Sequence, residues 1–334
     1  MSKIELVLKT ESQSFRKMEI IPTTIGSYPR PDWFKEYLRR LEGLQKEGKK
    51  EIERDRYRDA LIEILNEQLN SGIRLFTDGQ LIWQDFLCYL CTKIDGFEMS
   101  GLIRYFDNNV YYRMPVAKEK LERRKDIIVE EFKLAKEIQP EIKAVISCFT
   151  IAELSKNEFY GNKKEFVMAI AEIMNQEAKK LAENGARYIQ IDEPSLLYAE
   201  KEDLQIAREA VKVIRRGIGA KFFLATYFRD AEKIFPEILE FPVDVIGLDF
   251  VEGYEKNLEL LKEYRTEKEI QAGIVDGRNT KMENPEEVRE RIDNIIDRLN
   301  TEILYISPNT GLEFLPYQKA SEKLRVMCNS IDQW

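Results

Sequence analysis

The stretch EFVMAIAEIMNQEAKKLAENGARYIQIDEP, residues 165–194, carries the pattern on which the fold prediction rests. Its first part places apolar side chains at helical spacing on one face, at Val167, Ile170, Ile173, Met174, Ala178 and Leu181. Asn184-Gly185 then provides a helix C-cap, and the β-branched run at 187–192 predicts a buried strand. A helix that leads directly into a strand is one unit of an α/β protein.

The same alternation extends along the chain. We predict eight strands, at 18–27, 72–78, 143–149, 187–192, 221–227, 243–250, 269–275 and 302–307. Amphipathic helices are predicted between them at 163–184, 203–216, 230–239, 256–264, 285–299 and 316–328. Eight such units favour an α/β fold of the (β/α)8 TIM-barrel type. A doubly wound sheet is the alternative, but no glycine-rich dinucleotide fingerprint follows the first strand.

The segment at 79–142 is too long for one loop and predicts an insertion between strands two and three. Within it we predict a helix at 82–93, an aromatic hairpin at 97–114 with its turn at 107–109, and a solvated helix in the charged stretch 118–136. The hairpin is placed to cap the mouth of the barrel. No segment has the composition of a linker, so we expect a single domain over 1–334.

The chain of 334 residues contains no histidine. This excludes Ser-His-Asp and Cys-His catalysis and every metal site that needs imidazole. Proton transfer must therefore involve carboxylates, Tyr, Lys, Cys or water. The two cysteines of the CxxC at Cys88 and Cys91 are more often small apolar helix positions than a redox pair or half a zinc site.

The net charge of -8 argues against sequence-independent binding of nucleic acid or of anionic membranes. No apolar run approaches the length of a membrane span, and the N-terminus lacks a signal-peptide core, so a cytoplasmic location is expected. The charged fraction of 34% is typical of a heat-adapted surface.

In a TIM barrel, the chemistry lies at the carboxyl ends of the strands. The candidates there are Ser27, Gln80, Asp192, Glu193, Tyr227, Asp249, Asp276, Arg278 and Asn279. Glu193 can act as a general base or cap the next helix, and the pattern leaves both open. Arg278 can clamp a carboxylate or phosphate, or pair with Asp276 to hold adjacent loops.

Several motifs resemble one family in register. PTTIGSYP at 22–29 is similar to an opening TTIGSFP, and IQIDEPSL at 189–196 to IQIDEPAL, in the cobalamin-independent methionine synthases. Full-length members of that family carry two barrels, of which the C-terminal one binds zinc and homocysteine. ATYF at 225–228, GLDFVEG at 247–253, GIVDGRN at 273–279 and GLEFLP at 311–316 resemble motifs of the N-terminal, zinc-free barrel.

The resemblance also indicates which positions would carry the zinc. The family's His, two Cys and Glu ligands align with Leu224, Thr226, Thr310 and Asp249. One carboxylate without thiolate or imidazole does not make a zinc site, so no bound metal is expected. Ser27 and Asp192 match residues that hold the amino-acid substrate, whereas the acid that binds its amino group is replaced by Gln80.

Three hypotheses follow from the resemblance. The favoured one is a zinc-free barrel that supports methyl transfer to homocysteine, in a complex with a separate zinc-bearing barrel. The alternatives are a zinc-independent methyltransferase acting alone, with Glu193 as the candidate base, and a non-catalytic binding or assembly protein. The family implies a small-molecule substrate and a methyl-pterin, folate-like donor.

Overall fold

The computed structural model describes residues 18–45, 52–106 and 110–331. The predicted turn at 107–109 lies outside them. The strands are β1 (Glu19–Pro22), β2 (Asp95–Arg104), β3 (Tyr111–Glu122), β4 (Lys143–Ile146), β5 (Lys156–Asn157), β6 (Tyr188–Asp192), β7 (Lys221–Ala225), β8 (Val245–Asp249), β9 (Glu269–Val275) and β10 (Ile303–Pro308). Seven of them form one parallel sheet in the order β1-β10-β9-β8-β7-β6-β4.

The predicted second strand closes this sheet into a barrel. Its residues form isolated parallel bridges, Thr23 with Leu75 on one side and Phe76 with Ile142 on the other. The Leu75 amide donates to the Pro22 carbonyl at 3.2 Å, and the Lys143 amide donates to the Phe76 carbonyl at 2.8 Å. The eight predicted strands therefore correspond to a ring of eight parallel segments, and the TIM-barrel prediction is confirmed.

Helices lie around the ring and within the insertion. They are α1 (Asp32–Gln45), α2 (Arg54–Asn70), α3 (Phe86–Cys91), α4 (Val129–Ile138), α5 (Phe149–Glu153), α6 (Lys163–Glu183), α7 (Lys201–Arg215), α8 (Tyr254–Glu263), α9 (Pro285–Ile296) and α10 (Tyr317–Asn329). The predicted apolar face of α6 is buried throughout. The predicted cap of α9 is also present, since the Asn284 side chain accepts the Glu286 amide at 2.8 Å.

Two predicted helices differ from the structure. The helix predicted at 230–239 consists of two short 3-10 segments, Glu232–Ile234 and Glu237–Glu240. Pro236 separates them, because proline has no amide hydrogen to continue a helix. The solvated helix predicted at 118–136 is wrong in its first part, because β3 continues to Glu122 and the helix starts only at Val129, and the helical part has a buried face that includes Phe132 and Leu134.

The insertion contains the predicted helix and hairpin. α3 precedes the antiparallel pair β2 and β3, and β5 adds to this small sheet in parallel to β3. The end of the hairpin reaches the barrel mouth, where Tyr105 packs edge-on against Phe228 with ring centroids 6.0 Å apart. The hairpin thus covers the loops that follow β6 and β7.

The barrel interior is layered. Leu75, Phe223, Val245 and Tyr305 form an apolar cluster, with the Phe223 and Tyr305 rings 4.9 Å apart. Next to this cluster lies a polar layer in which buried Lys143 contacts Gln190 and Gln271. Among the described residues, no helix is both long enough and apolar enough to cross a bilayer.

Candidate functional site at the mouth of the barrel

Two adjoining cavities lie between the strand ends and the insertion. The first has a volume of about 270 Å³ and the second about 290 Å³. Both are lined by Ser27, Gln80, Phe86, Tyr105, Val110, Glu313 and Phe314. Asp192, Tyr227 and Arg278 line only the first cavity. Five of the residues predicted from the sequence therefore meet in the first cavity: Ser27, Gln80, Asp192, Tyr227 and Arg278.

Gln80 contributes an unsatisfied amide to the cavity wall. Its side chain is 8% exposed, and its Nε2 has no hydrogen-bond partner among the described residues. The residue has a φ of 52°, a left-handed conformation that is uncommon outside glycine. A buried donor without a partner is unfavourable, and an acceptor supplied by a ligand would satisfy it.

Asp192 is held at the end of β6 by neighbours in the barrel interior. Its carboxylate accepts a hydrogen bond from the Gln190 side chain, which also donates to the Ile25 carbonyl at 2.6 Å. Gln190 in turn accepts from buried Lys143. Gln190 and Asp192 therefore share the inward face of the strand, as residues two apart should.

Burial shifts the pKa values of Asp192 and Lys143 in opposite directions. It raises the pKa of Asp192 well above its usual range, although the hydrogen bond from Gln190 and the charge of Lys143 oppose the shift. It also lowers the pKa of Lys143, while the charge of Asp192 opposes that shift. Both groups thus favour their neutral forms more than they would in water, and an incoming cation would stabilise the ionised carboxylate.

The insertion reaches Asp192 through two tyrosines. The Tyr227 hydroxyl donates to Asp192 Oδ2 at 3.4 Å, and Tyr105 from the hairpin hydrogen-bonds to Tyr227. The hairpin therefore forms part of the site as well as covering it.

Asp249 lies at the end of β8 but does not line either cavity. Its carboxylate accepts the Phe228, Val251 and Glu252 amides at 2.9 to 3.0 Å, and the Asn309 side chain at 3.1 Å. It is 1% exposed, and burial raises its pKa to about 6. Asp249 thus holds the loops after β7, β8 and β10 together.

Glu193 has a comparable structural position. Its Oε1 accepts the Cys148 and Phe149 amides at 2.8 and 2.9 Å, and its Oε2 accepts the Thr150 amide at 2.6 Å. These amides begin α5, so the carboxylate caps a helix that precedes it in the chain, whereas the predicted cap was of the next helix, Pro194–Tyr198, to which the Glu193 side chain makes no cap hydrogen bond. Burial raises the pKa of Glu193 to about 7, and the backbone donors oppose the shift.

Two of the three candidates after β9 lie outside the cavities. Asp276 accepts the Arg278 amide at 2.8 Å, and Asn279 accepts the Lys281 amide at 2.9 Å. The Arg278 guanidinium reaches the first cavity but forms its ion pair with Glu252. The loop-holding pair suggested for Arg278 is therefore made with Glu252, in the loop after β8.

The sequence patterns did not identify two residues of the site, Glu313 and Lys143. Glu313 accepts a hydrogen bond from Ser27, and buried Lys143 supports Asp192 through Gln190. The sequence offered a signal only for Lys143, a charged residue at the start of an otherwise apolar strand. Glu313 follows the last strand in a loop, where a charged residue is unremarkable.

The structure also shows how the cysteines and the other residue types that can bind a metal are arranged. Cys88 and Cys91 are buried in α3, and both are free thiols. Among the described residues, no group of three or more His, Cys, Asp and Glu side chains is arranged to hold a metal ion.

A ring of eight parallel strand segments with polar side chains in a cavity at their carboxyl ends defines a TIM-barrel protein with a ligand site at its mouth. A family model described as cobalamin-independent synthase, catalytic domain, matches residues 20–332. A methionine synthase of Saccharolobus solfataricus is 38% identical over 314 residues, which cover 92% of this chain and 93% of that protein. The chain belongs to the cobalamin-independent methionine synthase family.

Further comparisons agree with this assignment. A methionine synthase of Sulfurisphaera tokodaii is 33% identical, over 92% of this chain and 90% of that protein. A B12-independent methionine synthase from Shewanella sp. W3-18-1, solved in complex with selenomethionine, has the same fold with a TM-score of 0.78 at 21% identity. That match covers 92% of this chain and 95% of the solved chain.

Proposed function

We propose that the first cavity binds an amino acid of the homocysteine class and that the chain takes part in methyl transfer to it. The observation that carries this proposal is the buried Asp192 carboxylate, which shares a cavity with Ser27 and with the Gln80 Nε2 donor, which no described residue satisfies. An ammonium group suits the acid, and a ligand carboxylate suits the amide. The selenomethionine bound by the Shewanella protein is an amino acid of this class.

We further propose that this barrel works without zinc of its own. Leu224 has no ligating atom and is fully buried, and the Thr226 hydroxyl donates to the Gly247 carbonyl at 2.8 Å. Both Asp249 oxygens already accept hydrogen bonds from the surrounding loops. These residues do not fit a tetrahedral zinc site, although the matching family model is that of the catalytic domain.

The second cavity is our candidate site for the methyl donor. Its aromatic lining includes Trp83, Tyr111, Tyr112 and Phe314. The Trp83 Nε1 is buried and lacks a hydrogen-bond partner among the described residues. A flat heteroaromatic ring with an acceptor, such as the pterin of a methyl-folate, would pack against these rings and satisfy that donor.

The proposed partner is a separate zinc-bearing barrel of the same family, which would supply the activation of the thiol. Mixing the two purified proteins is expected to give a stable complex, and methionine should form from homocysteine and a methyl-pterin only when both are present. The Asp192→Asn variant should still form the complex but support less turnover. Absence of a complex, together with full activity of the zinc-bearing barrel alone, would contradict the proposal.

A second candidate is a methionine synthase that acts alone. It is favoured by the relatives named methionine synthase. The alignment covers 93% of one of them and 90% of another, so these proteins are about as long as this chain. Methionine formation by the pure, chelator-treated chain without a partner would select this candidate.

A further inference from the structure

Glu313 provides a carboxylate at the cavity that the family resemblance does not predict. It lies in the loop after β10, lines both cavities and accepts a hydrogen bond from the Ser27 hydroxyl. Gly311 allows this approach, because a side chain there would collide with both Ser27 Oγ and Glu313 Oε2.

Within the described part of the chain, the negative charge of Glu313 is not neutralised by a direct ion pair. No lysine or arginine of the described residues forms a salt bridge with it. Arg30 is the cation that acts on it electrostatically, but the Arg30 guanidinium donates to the Leu81 and Trp83 carbonyls. The carboxylate is therefore available to a cationic group in the cavity.

Gln80 gives an independent indication that a ligand occupies this space. Its amide is more than nine-tenths buried, it lines the same two cavities, and its Nε2 has no partner among the described residues. A neutral amide at this position cannot balance the charge of an ammonium group, so the site needs another anion besides Asp192 if it binds an amino acid.

We propose that Glu313 is that anion, and that it makes the first cavity selective for ligands with a free α-amino group. The inference rests on the proposed function, because it assumes that the cavity binds an amino acid. Binding of the ammonium would exchange the contact between Ser27 and Glu313 for one between the ligand and Glu313, with no covalent step. Glu313 and Asp192 would then face the ammonium from the loop after β10 and from β6.

The test compares two ligands that differ only in the amino group. Calorimetry measures binding of L-homocysteine and of 4-mercaptobutanoate, both kept reduced, to the unaltered chain and to Glu313→Gln. We expect Glu313→Gln to weaken homocysteine binding about tenfold or more, since it removes one partner of a charge pair, and to leave 4-mercaptobutanoate binding unchanged. An equal loss for both ligands, or no loss for either, would overturn the inference.

Two further variants complete the design. Glu67→Gln is the matched control, because Glu67 accepts from Ser321 and pairs with Arg325 away from both cavities, and it should leave both affinities unchanged. Glu313→Asp keeps the negative charge and should retain part of the homocysteine affinity that Glu313→Gln loses, and an equal loss in both variants would count against a charge interaction with the ammonium. If the unaltered chain binds no homocysteine, the proposed function falls and the inference with it, whereas a preference for the amino group that Glu313→Gln leaves intact overturns the inference alone.

Discussion

The two halves of the barrel mouth use polar residues for different purposes. In the half formed by the ends of β1 and β6 and by the predicted second strand, Ser27, Gln80 and Asp192 face the first cavity. In the half formed by β7, β8 and β9, the Thr226 hydroxyl donates to the Gly247 carbonyl in β8, and the Asp249 and Asp276 carboxylates accept hydrogen bonds from amides of the adjacent loops. The carboxylate and hydroxyl of the first half thus face the proposed ligand, whereas those named in the second half stabilise the structure around them, and Tyr227 and Arg278 are the polar side chains that line the first cavity from the second half.

The difference shows that a polar residue at a strand end is a weak indication of function by itself. Asp192 and Asp249 occupy equivalent places on β6 and β8, and both are almost completely buried. Asp249 accepts hydrogen bonds from three backbone amides. Asp192 instead accepts hydrogen bonds from side chains of the described residues, and it lines the first cavity. The partners of a carboxylate therefore distinguish a binding residue from a structural one.

The largest expected effect is the loss of stability on removing Asp249. Asp249→Ala leaves three backbone amides and the Asn309 side chain without their acceptor. We expect a loss of about 3 kcal/mol or more in the free energy of unfolding, since each unsatisfied buried donor costs about 1–3 kcal/mol. Urea unfolding measures this loss, and a change below about 0.5 kcal/mol, which is usual for surface substitutions, would show that Asp249 does not hold these loops.

Asp192→Asn should affect binding more than stability. The substitution removes the charge but keeps the shape, so homocysteine affinity is expected to fall by about tenfold or more. The same measurement on Thr226→Ser, which retains its hydroxyl in the other half of the mouth, serves as the control and should give unchanged affinity. Equal affinities for the unaltered chain and Asp192→Asn would contradict the assignment of the ligand to this half.

The pH dependence of binding offers a graded test. Because burial raises the pKa of Asp192, the carboxylate is increasingly protonated as the pH falls through that raised value. An ammonium binds the ionised form, so homocysteine affinity should decrease on acidification and approach a loss of about tenfold per pH unit. Calorimetry across neutral and mildly acidic pH measures this, and a slope that Asp192→Asn leaves intact would assign the titration to another group.

The smallest effect is expected at Asn279. Its side chain is exposed, lines neither cavity and accepts one hydrogen bond, from the Lys281 amide. Asn279→Ala should change the free energy of unfolding by less than about 1 kcal/mol and leave homocysteine affinity unchanged. A clear loss of affinity in calorimetry would extend the binding site into the loop after β9.

Much of the fold follows from local sequence patterns. The apolar periodicity of 163–184 and the caps at Asn284 and Asn184-Gly185 depend on neighbouring residues, and the structure confirms them. The helix break at Pro236 and the extension of β3 to Glu122 depend instead on which of two alternative secondary structures is more stable for the same residues. In β3, Val116 and Ala117 are buried in pairing with β2, which outweighs the charged residues that suggested a helix.

The site was less predictable than the fold because its geometry depends on distant parts of the chain. Ser27 and Glu313 are 286 positions apart, and only the closed barrel brings them together. The amides that donate hydrogen bonds to Asp249 belong to loops, and the sequence does not reveal which way their N–H groups point. Asp192 was identified because its strand and motif were both evident, whereas Glu313 lies in the GLEFLP motif at 311–316 but in a loop, where nothing marked its carboxylate as part of the site.

Calorimetric titration of the chelator-treated chain with L-homocysteine, with and without added zinc, decides whether this barrel binds its amino-acid ligand without a metal ion. We expect the same affinity in both titrations, and less than one zinc per chain in the protein as purified. Binding that requires zinc, or stoichiometric zinc that the chelator removes together with the affinity, would contradict this expectation.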